Sequence, residues 1–305
     1  MRRRRGSADM SGKVAYTKKS VTSEDGTTIG FRQFGSGPAV VILHGGALAS
    51  QHYMKLGSAL ADVFTVCIPD RRGRGMSGPC GPDYSIERED EDLAAVVAET
   101  GAQRVFGTAD GGLFALHGSV SIPQIRTVAV FEPVIFVGQP GLDEFKKTID
   151  RAEALVAGGD IAVAMSSLAA DAGNDPRTQA VSPLYRLMGR VLAAPLTCRA
   201  LLSLDALAAR GDTVALRDLV PTLIPELRQV KATEGTIDYY RNVTAECLLM
   251  CGADAPPLFT ATQDALQQVL PHCTRVVLPG LNHGAAQDQG GSPAVIAGQL
   301  RQFFS

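Results

Sequence analysis

The sequence predicts an α/β protein with a doubly wound, mostly parallel sheet. Short apolar runs typical of buried strands alternate with longer segments in which apolar residues recur at helical spacing. Most of the short runs are apolar without interruption, which favours strands covered by helices on both faces. With 305 residues and a hydrophobic content of 45%, the chain is long enough to bury a large core.

The first elements are predicted to start at the edge of this sheet. Residues 14–35 alternate polar and apolar side chains around an Asp-Gly pair, a pattern that predicts an antiparallel hairpin. The apolar runs at 38–43 and 64–70 then predict two buried strands. A glycine-rich loop directly after a buried strand can point backbone N–H groups at a developing oxyanion. Gly46, in the loop that follows the first of these runs, is therefore a candidate oxyanion donor.

The stretch from Arg104 to Leu116 is the centre of the predicted site. Its first residues suit a buried strand, its glycines a sharp turn and its last residues a helix. This order is typical of a nucleophile elbow, in which small residues stand two positions before and after the nucleophile. Gly107 and Gly111 stand at those positions, and the residue midway between them is Ala109. The pattern predicts an elbow without an attacking oxygen atom.

The second half of the chain changes character and then returns to the first pattern. The run 127–133 predicts another buried strand, which ends near Glu132. Strand patterns then disappear, and apolar residues recur at helical spacing. A segment of this length is too long for a plain loop, so we expect a helical insertion. We divide the chain into a leader that resembles an added expression sequence, a core in two parts and this insertion, at 1–9, 10–134, 135–240 and 241–305.

Composition argues against several classes of protein. The net charge is −2, and residues 1–9 contribute four arginines and one aspartate, so the rest of the chain is more acidic than the whole. An acidic body argues against nucleic-acid binding. No apolar segment follows the arginines, so we expect neither an export signal nor a membrane span. The six cysteines lack the spacing of a zinc site, which favours a reducing cytoplasm and predicts no metal.

Five motifs, each after a predicted strand, resemble those of the α/β-hydrolase fold superfamily. They are HGG at 44–46, DRRGRG at 70–75, GTADGG at 107–112, GAD at 252–254 and NHG at 282–284. Their order and spacing cover nearly the whole chain after the leader. We interpret the charged residues of the second motif as structural.

The resemblance implies a role for each position. In this superfamily the nucleophile comes first, then the acid, then the histidine. Ala109 would occupy the nucleophile position, Asp254 would be the acid and His283 the general base. Glu132 is the alternative acid, because it follows a neighbouring strand. The backbone N–H groups of Gly46 and Asp110 would form the oxyanion hole in this scheme, and the insertion would be a lid.

The alanine at the nucleophile position leaves several interpretations open. Ala109 can be the replacement of a nucleophilic serine, or the protein can bind ligands without hydrolysing them. A third possibility is that His283 acts as a base in a lyase, isomerase or cyclase. In a fourth, the elbow shifts by one residue and Asp110 becomes the nucleophile of a dehalogenase or epoxide hydrolase. This shift would put Thr108 where the strained backbone favours glycine.

We expect a hydrolase whose serine form cleaves an ester, thioester or lactone through an acyl-enzyme. The apolar content of the insertion suggests a hydrophobic acyl or polyketide-like small molecule as substrate. No organic cofactor is implied, and the sequence does not specify an oligomeric state.

Overall fold

The computed structural model describes residues 15–139, 141–172 and 194–305. The predicted leader at 1–9 and part of the predicted insertion, at 173–193, lie outside the described residues. No helix in the described ranges is both long enough and apolar enough to cross a membrane.

An eight-stranded sheet forms the centre of the fold, in the order β1-β2-β4-β3-β5-β6-β7-β8. β1 and β2 form the antiparallel hairpin that the alternating pattern predicts, and β2 also pairs antiparallel with β4. From β4 to β8 all neighbouring strands are parallel. The strands are β1 Thr17–Thr22, β2 Thr28–Gly35, β3 Ala39–Leu43, β4 Thr65–Pro69, β5 Arg104–Thr108, β6 Thr127–Phe131, β7 Glu246–Gly252 and β8 Cys273–Leu278.

Helices cover both faces of the sheet, which confirms the predicted doubly wound α/β class. Helices α2 (Ile86–Thr100), α3 (Asp110–Ser121) and α9 (Pro257–Val269) pack on one face, while α1 (Met54–Leu60) and α10 (Pro293–Phe304) pack on the other. Successive side chains of a strand point to opposite faces. On β5, for example, Val105 contacts the first group of helices and Phe106 the second. This explains why the central strands are apolar without alternation.

A helical insertion separates β6 from β7. Its described helices are α4 (Leu142–Ala157), α5 (Ile161–Ala172), α6 (Pro195–Ala208), α7 (Leu216–Leu219) and α8 (Leu223–Ala232). A short 3-10 segment at Val220–Thr222 separates α7 from α8, and it contains Pro221. Proline has no backbone N–H to donate, so the break at this point agrees with the sequence. α8 is the helix of the insertion that reaches the site described below.

Candidate active site

Ala109 lies at the apex of a strained turn between β5 and α3. Its backbone has φ 51° and ψ −125°, a combination that residues other than glycine rarely adopt. A Cβ on Gly107 would lie 2.2 Å from the carbonyl oxygen of Gly111, and one on Gly111 would lie 2.3 Å from that of His44. Both glycines are therefore required by close backbone approach. The turn has the geometry that the spacing of the motif predicts.

The apex of the turn is residue 109 and not residue 110. Asp110 is the first residue of α3, and its side chain is buried with Oδ2 3.5 Å from Nη1 of Arg71. A nucleophilic Asp110 would need the turn to shift by one residue, and the structure does not have this register. Ala109 has only a methyl group where a serine in the same position would have its hydroxyl.

His283 pairs with Glu132, which follows β6. Nδ1 of His283 lies 2.7 Å from Oε2 of Glu132, and the other carboxylate oxygen accepts a hydrogen bond of 3.0 Å from the backbone N–H of Gly252. Glu132 is completely buried, and the His283 ring stacks on Phe259 with centroids 4.3 Å apart. The Nδ1–H group donates to the carboxylate, so Nε2 of the neutral ring is left as a proton acceptor.

The preference for Asp254 as the partner of His283 does not agree with this geometry. Asp254 is exposed in the turn after β7, and no hydrogen bond or ion pair within the described ranges joins it to His283. The contact belongs to the alternative, Glu132. The backbone N–H of Glu132 donates to the carbonyl of Met250 over 2.9 Å, which fixes its position. Its φ of 47° turns the chain at the end of β6.

Gly46 lies in the loop after β3, close to the start of α3. A Cβ on Gly46 would lie 2.4 Å from Cδ1 of Leu223, the first residue of α8. Within the described residues, the backbone N–H groups of Gly46 and Asp110 donate to no protein acceptor. Backbone N–H groups without a protein acceptor can donate to a bound group.

His44 shapes this loop, as its position in the sequence suggests. Its Nε2 accepts a hydrogen bond of 3.0 Å from the backbone N–H of Arg71, and Nδ1 donates to the carbonyl of Gly45 over 2.9 Å. Complete burial, with the positive charges of Arg74 and Arg71 nearby, lowers the pKa of His44 well below its usual value. His44 is therefore neutral and has a structural role.

A buried charged cluster that the sequence does not predict lies beside the elbow, and we call it the arginine cluster. It comprises Arg71, Arg74, Glu89, Asp110 and Glu226, all of them buried. Arg71 makes two hydrogen bonds of 2.9 Å to Glu89 and lies 2.8 Å from Oε1 of Glu226. The clue to Glu226 was its position on α8, on the same helical face as Leu223 and Val230, both of which contact the core.

No group of three or more His, Cys, Asp or Glu side chains in the described ranges is arranged to hold a metal ion. All six cysteines lie within the described residues, and four of them, Cys67, Cys198, Cys247 and Cys251, are buried. Burial raises the pKa of Cys67 and Cys247 to about 12. These two thiols are therefore small hydrophobic side chains and not nucleophiles.

The sheet order, the strained turn and the rim position of the histidine together define an α/β-hydrolase scaffold. A family model described as the alpha/beta hydrolase family matches residues 40–298. The chain belongs to this family.

Individual relatives agree with this assignment. The chain is 32% identical over 139 residues to a pimeloyl-[acyl-carrier protein] methyl ester esterase of Xanthomonas campestris, an alignment that covers 40% of this chain and 54% of that relative. The chain thus spans about half the length of the curated relative it matches. Among solved structures, an α/β hydrolase from Sphaerobacter thermophilus is similar with a TM-score of 0.72 and 27% identity, covering 94% of this chain and 100% of that one. Esterase RhEst1 from Rhodococcus shares the fold, with a TM-score of 0.63, 21% identity and coverage of 94% and 98%.

Proposed function

We propose that this chain has the machinery of an acyl-transferring hydrolase that cleaves an ester bond of a hydrophobic small molecule, with an alanine in place of its serine nucleophile. The observation on which the proposal depends is the hydrogen bond of 2.7 Å between His283 and Glu132 on the rim where the strained turn exposes residue 109. A buried carboxylate that orients an imidazole is the arrangement that activates a hydroxyl nucleophile.

Each part of the site has a role in this mechanism. In the serine form, the hydroxyl of residue 109 attacks the carbonyl carbon, and Nε2 of His283 accepts its proton. Glu132 keeps the imidazole in the required tautomer and stabilises the imidazolium that forms. The N–H groups of Gly46 and Asp110 stabilise the oxyanion. As the C–O bond of the ester breaks, His283 gives this proton to the leaving oxygen, so the alcohol departs and the acyl-enzyme remains. The neutral His283 then takes a proton from water, which attacks the acyl-enzyme, and it returns that proton to the serine oxygen as the acid is released.

Two observations support an ester of apolar character. The matched relative is named as a methyl ester esterase, although the alignment covers only part of it. Helix α6 of the insertion exposes Leu196, Leu204 and Leu207 by 77%, 64% and 76%. In this proposal these leucines offer apolar surface to the substrate. In this proposal the insertion acts as a lid, because Leu223 of α8 lies against the loop of Gly46. Thioesters and lactones react by the same steps and belong to the same proposal.

The test compares the chain as it stands with the Ala109→Ser variant on nitrophenyl esters, methyl esters, acyl thioesters and lactones. We expect turnover, with a burst of leaving group, only in the serine form. Removal of the nucleophile from an unrelated serine protease lowers kcat by roughly six orders of magnitude, which sets the expected scale. The matched control is Ala109→Ser combined with His283→Gln, which keeps the hydroxyl but removes the base. If the serine form is folded and inactive on the whole panel, the hydrolytic proposal is wrong.

A second candidate is base catalysis by His283 without a covalent step. The observations that favour it are the His283–Glu132 pair and the methyl group of Ala109, which cannot attack a substrate. Such a lyase, isomerase or cyclase would act on a carbon acid with Ala109 in place. It would lose this activity in His283→Gln and would gain nothing from Ala109→Ser, so the same set of variants separates the two candidates.

A further inference from the structure

The arginine cluster contains more acidic groups than basic ones. Arg71 and Arg74 come from the loop after β4, whereas the three carboxyl groups come from α2, α3 and the insertion helix α8. Two guanidinium charges face three carboxyl groups, so complete ionisation would bury one uncompensated negative charge. A buried charge without a partner is strongly unfavourable, and the usual response is to bind a proton.

Two of these carboxyl groups meet above Gly46. The point where a Cβ of Gly46 would stand lies 3.0 Å from Oδ2 of Asp110 and 3.2 Å from Oε2 of Glu226. Oε1 of Glu226 accepts from both arginines, but Oε2 is buried and receives no hydrogen bond from any described residue. A proton shared between the two groups gives this oxygen a hydrogen-bond partner, because a neutral carboxyl group can donate to a neighbouring carboxylate.

We propose that Glu226 and Asp110 share one proton, and that this acid–carboxylate pair fastens helix α8 of the insertion to the loop and turn that carry the candidate oxyanion donors. Glu226 is then a positioning residue, because it acts through Asp110 and the Gly46 loop. Two carboxyl groups beside the same backbone position repel each other when both are ionised, as in other carboxyl dyads. The catalytic consequence rests on the proposed hydrolytic function, whereas the shared proton does not.

The other groups that face the pair leave the proton with Glu226. Burial, opposed by the charges of Arg71 and Arg74 and reinforced by Asp110, raises the pKa of Glu226 to about 8. Burial also opposes ionisation of Glu89, but its pairing with Arg71 keeps the pKa of that carboxyl below its usual value. Burial and the charge of Glu89 raise the pKa of Tyr84 well above its usual value. The remaining neighbours in the described ranges are neutral: His44, by its lowered pKa, and the Cys80 thiol, whose pKa burial raises to about 11.

The sign of the pH dependence follows from linkage. Glu226 binds its proton more tightly in the folded chain than in the unfolded chain, where the pKa is 4.5. The stabilisation is therefore complete below about pH 4.5 and is lost as the pH rises through about 8. Between these limits the unfolding constant gains about tenfold per pH unit from this one group.

The experiment measures urea unfolding of the chain as it stands and of Glu226→Gln between pH 5 and 9. The amide mimics the protonated acid and does not titrate. As the pH rises to about 8, the unfolding constant of the parent should therefore increase by about tenfold per pH unit relative to that of the variant. Above about pH 8 the ratio of the two constants should stay the same. Glu144→Gln is the matched control, because Glu144 is an exposed glutamate of the same insertion. Its difference from the parent should not change with pH over this range.

Infrared spectroscopy provides a second readout that does not depend on a variant's stability. A protonated-carboxyl C=O band should persist at neutral pH in the parent and disappear in both Glu226→Gln and Asp110→Asn. A pH-independent difference in stability, together with no such band, would overturn the shared proton. In the Ala109→Ser form, kcat should fall above about pH 8, and Glu226→Gln should remove this fall. An inactive serine form with an intact stability profile would refute the hydrolytic function and leave the proton pair standing.

Discussion

Replacing Glu132 by glutamine tests which carboxylate orients His283. The carboxylate accepts two hydrogen bonds, one from Nδ1 of His283 and one from the N–H of Gly252. A glutamine amide has one oxygen and one NH2 group, so it can accept from only one of these donors. If the NH2 group faces His283, Nδ1 must accept a hydrogen bond, so the ring proton moves to Nε2. Nε2 can then no longer take a proton from serine.

The opposite amide orientation is also unfavourable. The NH2 group would then face the N–H of Gly252, and a buried donor without an acceptor costs about 1–3 kcal/mol. In a serine protease, the corresponding acid-to-amide change lowers kcat by about 10⁴ because it stabilises the wrong tautomer. For Glu132→Gln in the Ala109→Ser form we expect a similar loss, equivalent to about 5.5 kcal/mol of transition-state stabilisation.

The assay is single-turnover release of nitrophenol by Ala109→Ser, with and without Glu132→Gln. Asp254→Asn is the control, because Asp254 is exposed and should change kcat less than about threefold. A second measurement, the ¹⁵N shifts of the His283 ring in the chain as it stands, reports the tautomer without requiring activity. A large loss in Asp254→Asn, with Glu132→Gln close to the parent in rate and tautomer, would refute the assignment of Glu132.

Two further predictions concern the strained turn. Ala109→Gly should raise the free energy of unfolding by about 1 kcal/mol, because glycine has no Cβ and adopts φ 51° without strain. Ala115→Gly inside α3 is the control and should lower the free energy of unfolding by a similar amount. Urea denaturation measures both, and equal destabilisation by the two changes would contradict the strain. Gly111→Ala should destabilise the fold by more than about 3 kcal/mol, because its Cβ would lie 2.3 Å from the carbonyl oxygen of His44, which belongs to the backbone and cannot move aside; a cooperative melt near that of the parent would contradict this.

The sheet and the turn could be predicted from the sequence because their signals are local. Each central strand is a short run of apolar residues, and the two glycines of the turn stand at fixed distances from Ala109. The pairing of His283 with Glu132 joins residues 151 positions apart. It depends on how β6 and β7 end relative to the last loop, so residue order alone favoured Asp254.

The arginine cluster could not be predicted because charged residues of these types usually lie on the protein surface. Arginine and glutamate are mostly exposed in proteins, and they are buried only where they find partners. Arg74 finds Glu226 at a distance of 152 positions along the chain, through the packing of α8 on the loop after β4. These contacts agree with the structural interpretation of the charged residues at 70–75. The number of charges that are buried depends on the packing of distant segments, so the sequence alone does not give it.

Strained backbone positions lie after the carboxyl ends of three central strands. Within residues 15–139, 141–172 and 194–305, the non-glycine residues with positive φ are Ala47, Ala109 and Glu132. They follow β3, β5 and β6, which are neighbours in the sheet. Each strained residue costs on the order of 1–3 kcal/mol and persists only where the surrounding structure enforces it. Glycine would relieve the strain at any of the three. The presence of side chains at all three strained positions is therefore an argument that this rim is built for chemistry, and it applies whether or not residue 109 has a hydroxyl group.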